Sequence, residues 1–266
     1  MNNFFENKVV WVTGASSGIG AEMVKILASK NAKVILSARR KEKLDVIAQS
    51  FEIPEENYLV LPLDLAQPDT FENAVNQVEE KFGKLDILIN NAGLAYKAYG
   101  ENTLEEVDRK IMEVNYFGPV LLTKKALSLL KKNKESQVVA VSSILGDFGL
   151  PLVSAYAAAK HALHGYFDSL RYEVEKYNMH ISLVTPGFIN TEITYNSLTE
   201  SGESYNQNSD AQAKGMDAKK CAEKILKAVS KRKRFYRVGG IEIYMPLFEF
   251  FFPKIFYIIM KKLHKL

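Results

Sequence analysis

The sequence has one cysteine, Cys221, among 266 residues, which excludes an intrachain disulfide and a cysteine-based metal cluster. Cys221 reads instead as a small residue on a helix. Histidine is scarce too. His161, His164, His180 and His264 form no metal-ligand spacing, so no metal is expected, and surface or helix-packing roles suit them. Neither sign of charge dominates: 35 Lys and Arg against 31 Asp and Glu leave a net charge of +4, which does not call for nucleic acid. Residues Met1 to Lys8 carry neither a basic leader nor an apolar core. A cleaved signal peptide is therefore not expected, and the reducing cytoplasm is the default location. No low-complexity tract, linker or repeat divides the chain.

What remains is an ordered alternation of short apolar runs and helical patterns. Val9-Val10-Trp11-Val12, Lys33 to Ser37, Tyr58 to Leu63, Leu85 to Ile89, Val138 to Val141, Ile181 to Val184 and Phe235 to Val238 read as strands. Amphipathic segments lie between them, joined by short connections. That pattern predicts an α/β fold: a Rossmann-like, doubly wound parallel sheet of about seven strands with helices on both faces. We expect one dinucleotide-binding catalytic domain over residues 1–240 and an aromatic, basic extension over 241–266.

The chemistry concentrates at strand ends. After the first strand, Thr13-Gly14-Ala15-Ser16-Ser17-Gly18-Ile19-Gly20 runs into a helix. Such a turn lets backbone N–H groups approach a pyrophosphate, although the spacing is a variant of the usual glycine fingerprint and a turn with no ligand is the competing explanation. After the second strand, Ala38 stands where an acid would meet the ribose of NAD, and Arg39 and Arg40 follow. Two guanidinium groups suit the 2′-phosphate of NADP, so NADP (NADPH) is expected in preference to NAD. The alternative is that both arginines merely open a solvated helix. Asp64, before Leu65, could receive an adenine amino group or serve as a turn cap. Asn90-Asn91-Ala92-Gly93 ends the fourth strand with small residues that permit close backbone approach.

The strand Val138 to Val141 ends in Ser142 and Ser143, and one loop later Tyr156 and Lys160 stand four apart on one helix face. A phenol beside an ammonium is suited to proton transfer, because the cation favours phenolate and lowers a pKa that starts at about 10. Ser143 could orient a carbonyl or alcohol oxygen toward that phenol. The same Tyr-x-x-x-Lys spacing recurs at Tyr172/Lys176 and Tyr257/Lys261, which read as a solvated face and a basic tail.

Together these residues resemble the short-chain dehydrogenase/reductase family. The resemblance rests on the Thr13 to Gly20 turn, Asp64, Asn90 to Gly93, Asn115, Ser143, Tyr156-x-x-x-Lys160 and Pro186-Gly187, and spans about Lys8 to Thr191. It implies that Tyr156 is the general acid in reduction and the base in oxidation. Lys160 would lower the Tyr156 pKa and hold the nicotinamide ribose. Ser143 would bind the reacting oxygen, and Asn115 would support a water-linked proton path. It further implies a cofactor pocket drawn from Gly14, Ser16, Ser17, Gly18, Ile19, Gly20, Asp64, Asn91, Ala92, Gly93, Pro186, Gly187, Ile189 and Thr191. To these we add Arg39, Arg40 and Leu65, along with Tyr156 and Lys160 themselves.

Thr194 to Gly215 is polar and reads as a mobile lid over the substrate, or as a plain surface loop. In the tail, Phe248, Phe251, Phe252, Ile255, Ile259, Leu263 and Leu266 fall at helical spacing on one face, with Lys254, Lys261, Lys262 and Lys265 beside them. Pro246, Glu249, Pro253 and Lys254 interrupt it, so it lacks the run of about 20 apolar residues that spans a bilayer. It predicts an amphipathic helix at 244–266 that either lies in a membrane surface or packs on its own domain or a second subunit. The expected activity is NADP-dependent interconversion of a carbonyl and an alcohol on a small, lipophilic substrate by a homo-oligomer. The alternative is a non-enzymatic NADP(H)-binding sensor or scaffold that docks through the tail.

Overall fold

Alternation with a period of two sorts the strand residues onto two faces, and both faces are apolar. The computed structural model describes residues 4–207 and 210–263. In chain order it runs β1 (Val9–Thr13), α1 (Gly18–Ala28), β2 (Lys33–Ser37), α2 (Lys41–Ala48), β3 (Tyr58–Val60), α3 (Phe71–Phe82) and β4 (Ile87–Asn90). There follow α4 (Glu105–Met112), α5 (Gly118–Leu130), β5 (Ser136–Val141), α6 (Ser154–Val174), β6 (Met179–Pro186) and β7 (Ile189–Asn190). The chain closes with α7 (Asp210–Ala213), β8 (Met216–Asp217), α8 (Ala218–Ser230), β9 (Phe235–Val238), α9 (Met245–Phe251) and α10 (Pro253–Leu263).

Seven strands form one parallel sheet in the order β3-β2-β1-β4-β5-β6-β9, and β7 pairs separately with β8. The expected doubly wound sheet is therefore present. On one face Val9, Trp11, Ile35, Leu88, Val138 and Ala140 pack against α3, α5 and α6. On the other, Val10, Val12, Leu36, Ile89, Val139 and Val184 pack against α1, α2 and α8. Cys221 lies wholly buried on α8, and burial pushes its thiol up to about 12. The third strand is shorter than its sequence predicts. Regular pairing stops at Val60, yet Leu61 and Leu63 still donate to Leu36 O and Ala38 O, and Pro62 falls between them on the open edge, where no donor is needed.

The order reverses between β1 and β4, where chain leaves the sheet in opposite directions and a crevice opens at the carboxyl ends of the strands. One side chain ties that opening together. The Thr13 hydroxyl accepts the amides of Asn91 and Ala92, each at 3.0 Å, and Asn91 Nδ2 donates to Thr13 O at 3.0 Å. Thr13→Val keeps the shape and removes the acceptor for two amides. It is expected to cost about 2–4 kcal/mol of unfolding free energy by denaturant titration. A loss under about 0.5 kcal/mol would show that the hydroxyl does not hold the crevice.

Candidate functional site

The glycine turn is folded onto itself. Gly14 has φ +68°, and a Cβ on Gly20 would stand 2.1 Å from Gly14 O, so a side chain at Gly20 cannot be accommodated without moving backbone. Gly18 lies against the Thr191 methyl, which brings the loop after β6 over the turn. Ala15 N–H donates to Ser37 O at 3.0 Å, tying the turn to the end of β2. The first turn of α1 has no acidic residue, and Ser17 makes no side-chain cap, so its opening amides are not engaged by a side chain there. Ser16 and Ile19 are half-buried beside it, and Ser17 is exposed.

Arg39 and Arg40 are exposed just past β2, and neither is in an ion pair among the described residues. Asp64 accepts the Ala66 amide at 3.0 Å, a turn-capping bond that occupies one carboxylate oxygen. The Leu65 side chain is buried in the core beneath Gly118, so any contact it makes with a ligand is through its backbone. Ile189 is similarly part of the core and pairs with Met216 through β7. Pro186 ends β6, and Gly187 donates to Val238 O at 2.8 Å.

Ser143, Tyr156, Lys160 and Asn115 come together at the carboxyl end of β5. Lys160 is buried on α6, donates to Val141 O at 3.3 Å and stands 5.5 Å from the centroid of the Tyr156 ring. A Cβ on Gly93 would lie 3.7 Å from Lys160 Nζ and 3.0 Å from Asn115 Oδ1, so the end of β4 passes between them. Asn115 sits fully buried in a π turn, Glu113–Phe117, inserted between α4 and α5. Sequence reasoning missed that turn. A signal was present in Pro119, which has no N–H and cannot donate to the Asn115 carbonyl four residues back. The Asn115 side chain is committed to the backbone: Nδ2 donates to Leu94 O and Ile111 O, and Oδ1 accepts Leu94 N–H. What Asn115 has to offer a proton path is thus its main-chain carbonyl.

Burial pushes the Tyr156 phenol up to about 12, against a smaller downward pull from the Ser143 hydroxyl. The phenol end is enclosed although the residue as a whole keeps some exposure. Burial likewise pulls Lys160 down to about 8. Burial is thus the larger influence on both groups, and Lys160 is not among the causes of the Tyr156 shift. The other Tyr-x-x-x-Lys tyrosines, Tyr172 and Tyr257, are exposed and stand apart from this group.

Two apolar walls flank the group. On one side Tyr156 packs with Leu94, Tyr96, Ala159 and Leu198. Leu198 belongs to the segment 194–215 read from sequence as a lid. Its first part does not hang free: Leu198 N–H and O bond to Ala95 O and Lys97 N–H, and Leu104 N–H donates to Glu200 O. Residues 208 and 209 of that segment lie outside the described residues. On the other side, beyond Ser143, stand Ile144 and Phe148, with Leu145 and Leu150. Asp147 in this loop joins His164 of α6 and Arg237 of β9. Burial pushes the Asp147 carboxyl up, but its bonds to His164 and Arg237 together outweigh that and hold it below the ordinary value. The other histidines lie elsewhere: His161 bonds to Ala157 O, His180 pairs with Glu135, and His264 lies outside the described residues.

The sequence model of a family described as short chain dehydrogenase matches residues 8–201. The chain is 38% identical over 235 residues to mouse dehydrogenase/reductase SDR family member 7B, covering 87% of this chain and 73% of that one. It is similar in structure to a short-chain dehydrogenase from Streptomyces avermitilis, with 26% identity, a TM-score of 0.81 and 98% of each chain covered. A Burkholderia cenocepacia short chain dehydrogenase solved in complex with NADP shares the fold at 22% identity and TM-score 0.79, covering 96% of this chain and 98% of that one.

The lysine shift has a consequence for stability. A folded-state pKa of about 8, below the ordinary 10.5, means that the folded chain binds fewer protons than the unfolded one between those values. Below pH 8 the buried ammonium costs stability, on the order of 3 kcal/mol. That cost fades as pH rises toward 10.5, and the tyrosine shift acts only above about pH 10. Lys160→Met, measured by denaturant titration without cofactor, is expected to be more stable than wild type at about pH 7, with the gap closing by about pH 10. A gap that does not change with pH would refute the assignment.

Proposed function

The chain belongs to the short-chain dehydrogenase family and is an NAD(P)-dependent oxidoreductase, and from that premise we propose that it interconverts a carbonyl and an alcohol, with NADP preferred and Tyr156 as general acid and base. The observation that carries this reading is the meeting of Ser143, Tyr156, Lys160 and the Asn115 turn beside Gly93. A degenerate sensor would have no need to keep all four together.

The residues present fit the cofactor. The glycine turn leaves a cradle that a Cβ would fill, the α1 terminus offers backbone amides to a pyrophosphate, and Arg39 and Arg40 are free to fork a 2′-phosphate. Ala38 leaves no carboxylate to repel that phosphate. When bound, the nicotinamide supplies or accepts the hydride. The protein's own part is to hold the substrate and move a proton. Ser143 Oγ orients the substrate oxygen toward Tyr156. With its pKa near 12, the phenol is protonated at neutral pH and is in the right state to donate to that oxygen during reduction. Lys160 steadies the phenolate left behind, and water on the Asn115 carbonyl returns the proton. The apolar walls on either side favour a lipophilic substrate and exclude bulk water.

The proposal includes contact with a membrane surface through the tail. No helix among the described residues is long and apolar enough to cross a membrane. The tail is not the single amphipathic helix expected. It breaks at Phe252 and Pro253 into α9 and α10. Phe256, outside the expected stripe, is the residue that packs inward, while Phe251, Phe252, Ile255 and Leu263 are exposed. Lys265 and Leu266 lie outside the described residues.

Tyr156→Phe is expected to lower kcat by about a thousandfold while NADPH binding, read by fluorescence, is retained. Unchanged turnover would sink the assignment. Arg39→Ala with Arg40→Ala is expected to raise KM for NADPH by about 10- to 100-fold and leave KM for NADH nearly unaltered. An equal effect on both cofactors would remove the arginines from phosphate recognition.

A further inference from the structure

We infer that the C-terminal tail rests on an anionic lipid bilayer and forms the entrance through which a substrate dissolved in that bilayer reaches Tyr156. The inference deepens the redox reading above and rests on it.

The tail packs on the loop that follows Ser143. Phe256 of α10 packs edge-on against Phe148, with ring centroids 5.4 Å apart, and the pair shares a cluster with Ile144, the residue after Ser143. Ile243, Met245 and Met260 extend this apolar contact along the tail. From the other side Glu242, in the turn that opens the tail, accepts the amides of Phe188 at 3.0 Å and Gly240 at 2.9 Å. It thereby fixes the tail to the loop after β6. One element therefore borders both the Ser143 loop and the Pro186-Gly187 segment.

The outer surface of the same element is apolar well beyond what single scattered residues would give. Phe250, Phe251, Tyr257, Ile258 and Leu263 are each about two-thirds exposed or more (74%, 66%, 67%, 64% and 68%). Among them stand Lys254, Lys261 and Lys262, exposed and without a carboxylate partner among the described residues. Glu249 is the lone acid between Met245 and Leu263.

That mixture selects the occupant. A protein interface depletes lysine from its core, and a two-fold contact with a second copy would bring two copies of this cationic patch together. At a lipid surface the requirements agree instead. Aromatic rings enter the boundary between headgroups and acyl chains, and lysine stems lie along apolar surface with their ammonium groups among anionic headgroups. A substrate with an apolar body could then pass from the bilayer along the Phe256 and Phe148 wall without crossing water.

The test uses the full chain and two carbonyl probes with NADPH: butanone in solution, and a long-chain 2-ketone dissolved in vesicles of phosphatidylcholine with or without phosphatidylserine. Wild type is expected to float with the anionic vesicles only. Changing Phe250, Phe251, Tyr257 and Ile258 together to Ser removes exposed groups and leaves the Phe256 contact intact. It is expected to abolish flotation and cut turnover of the vesicle ketone at least about tenfold, with butanone turnover within about twofold of wild type. Changing Lys254, Lys261 and Lys262 to Gln is expected to weaken vesicle binding by about a hundredfold, at roughly 1 kcal/mol for each lysine. The inference is overturned if wild type does not float, if the serine variant floats equally, or if that variant loses both ketones alike. It is also overturned if the serine substitutions dissociate an oligomer, since the surface would then belong to a second copy. Failure of the redox reading looks different: neither ketone is turned over although vesicles bind, which removes the entrance role along with it.

Discussion

The contact between the ends of β1 and β4 decides where everything else in this protein can act. The Thr13 hydroxyl holds the amides of Asn91 and Ala92, and Gly20 closes on Gly14 so tightly that no side chain fits. The two strands belong to opposite halves of the winding, so their following loops diverge and leave a crevice with backbone exposed on both sides. The glycine turn, the ends of β2, β4 and β5 and the start of α6, which carry most residues proposed for cofactor or substrate, lie at that same end of the sheet. The rest of the fold, two apolar faces packed on helices, serves to make this edge rigid.

Burial governs the proton chemistry within that crevice. Bringing Lys160 beside Tyr156 would lower the phenol's pKa if both stayed solvated. Here the larger effect is desolvation, which keeps the phenol neutral and weakens the hold of the lysine on its proton. A neutral phenol matches the proposed role of Tyr156 as proton donor in reduction. The π turn at Asn115 adds a main-chain carbonyl beside the lysine. Pro119 cannot supply the ordinary helical donor to that carbonyl, so a local break in hydrogen bonding falls where the proton path is proposed.

The tail shows how the burial of Phe256 changes the meaning of a sequence pattern. Helical spacing groups Phe248, Phe251, Phe252 and Ile255 as one stripe, but the break at Phe252 and Pro253 rotates the second helix relative to the first. Phe256 then turns to the Ser143 loop, and much of the stripe faces outward. The segment around Leu198 is the reverse case. Its polar composition reads as a loose covering, yet backbone bonds to Ala95, Lys97 and Leu104 fasten its first part beside Tyr156.

By itself the sequence determined the sheet, its winding and the residues that meet at its edge. Strand periodicity, glycine placement and the spacing from Ser143 to Tyr156 and Lys160 are local properties, and each is written in consecutive residues. Tertiary structure alone decided the direction of the Tyr156 shift, the commitment of the Asn115 side chain to Leu94 and Ile111, the burial of Leu65, and the seating of Phe256 against Phe148. These depend on which distant segments remove water from a group or take up its hydrogen bonds. Desolvation and long-range packing are sums over neighbours brought together by folding, and no local stretch of sequence carries them.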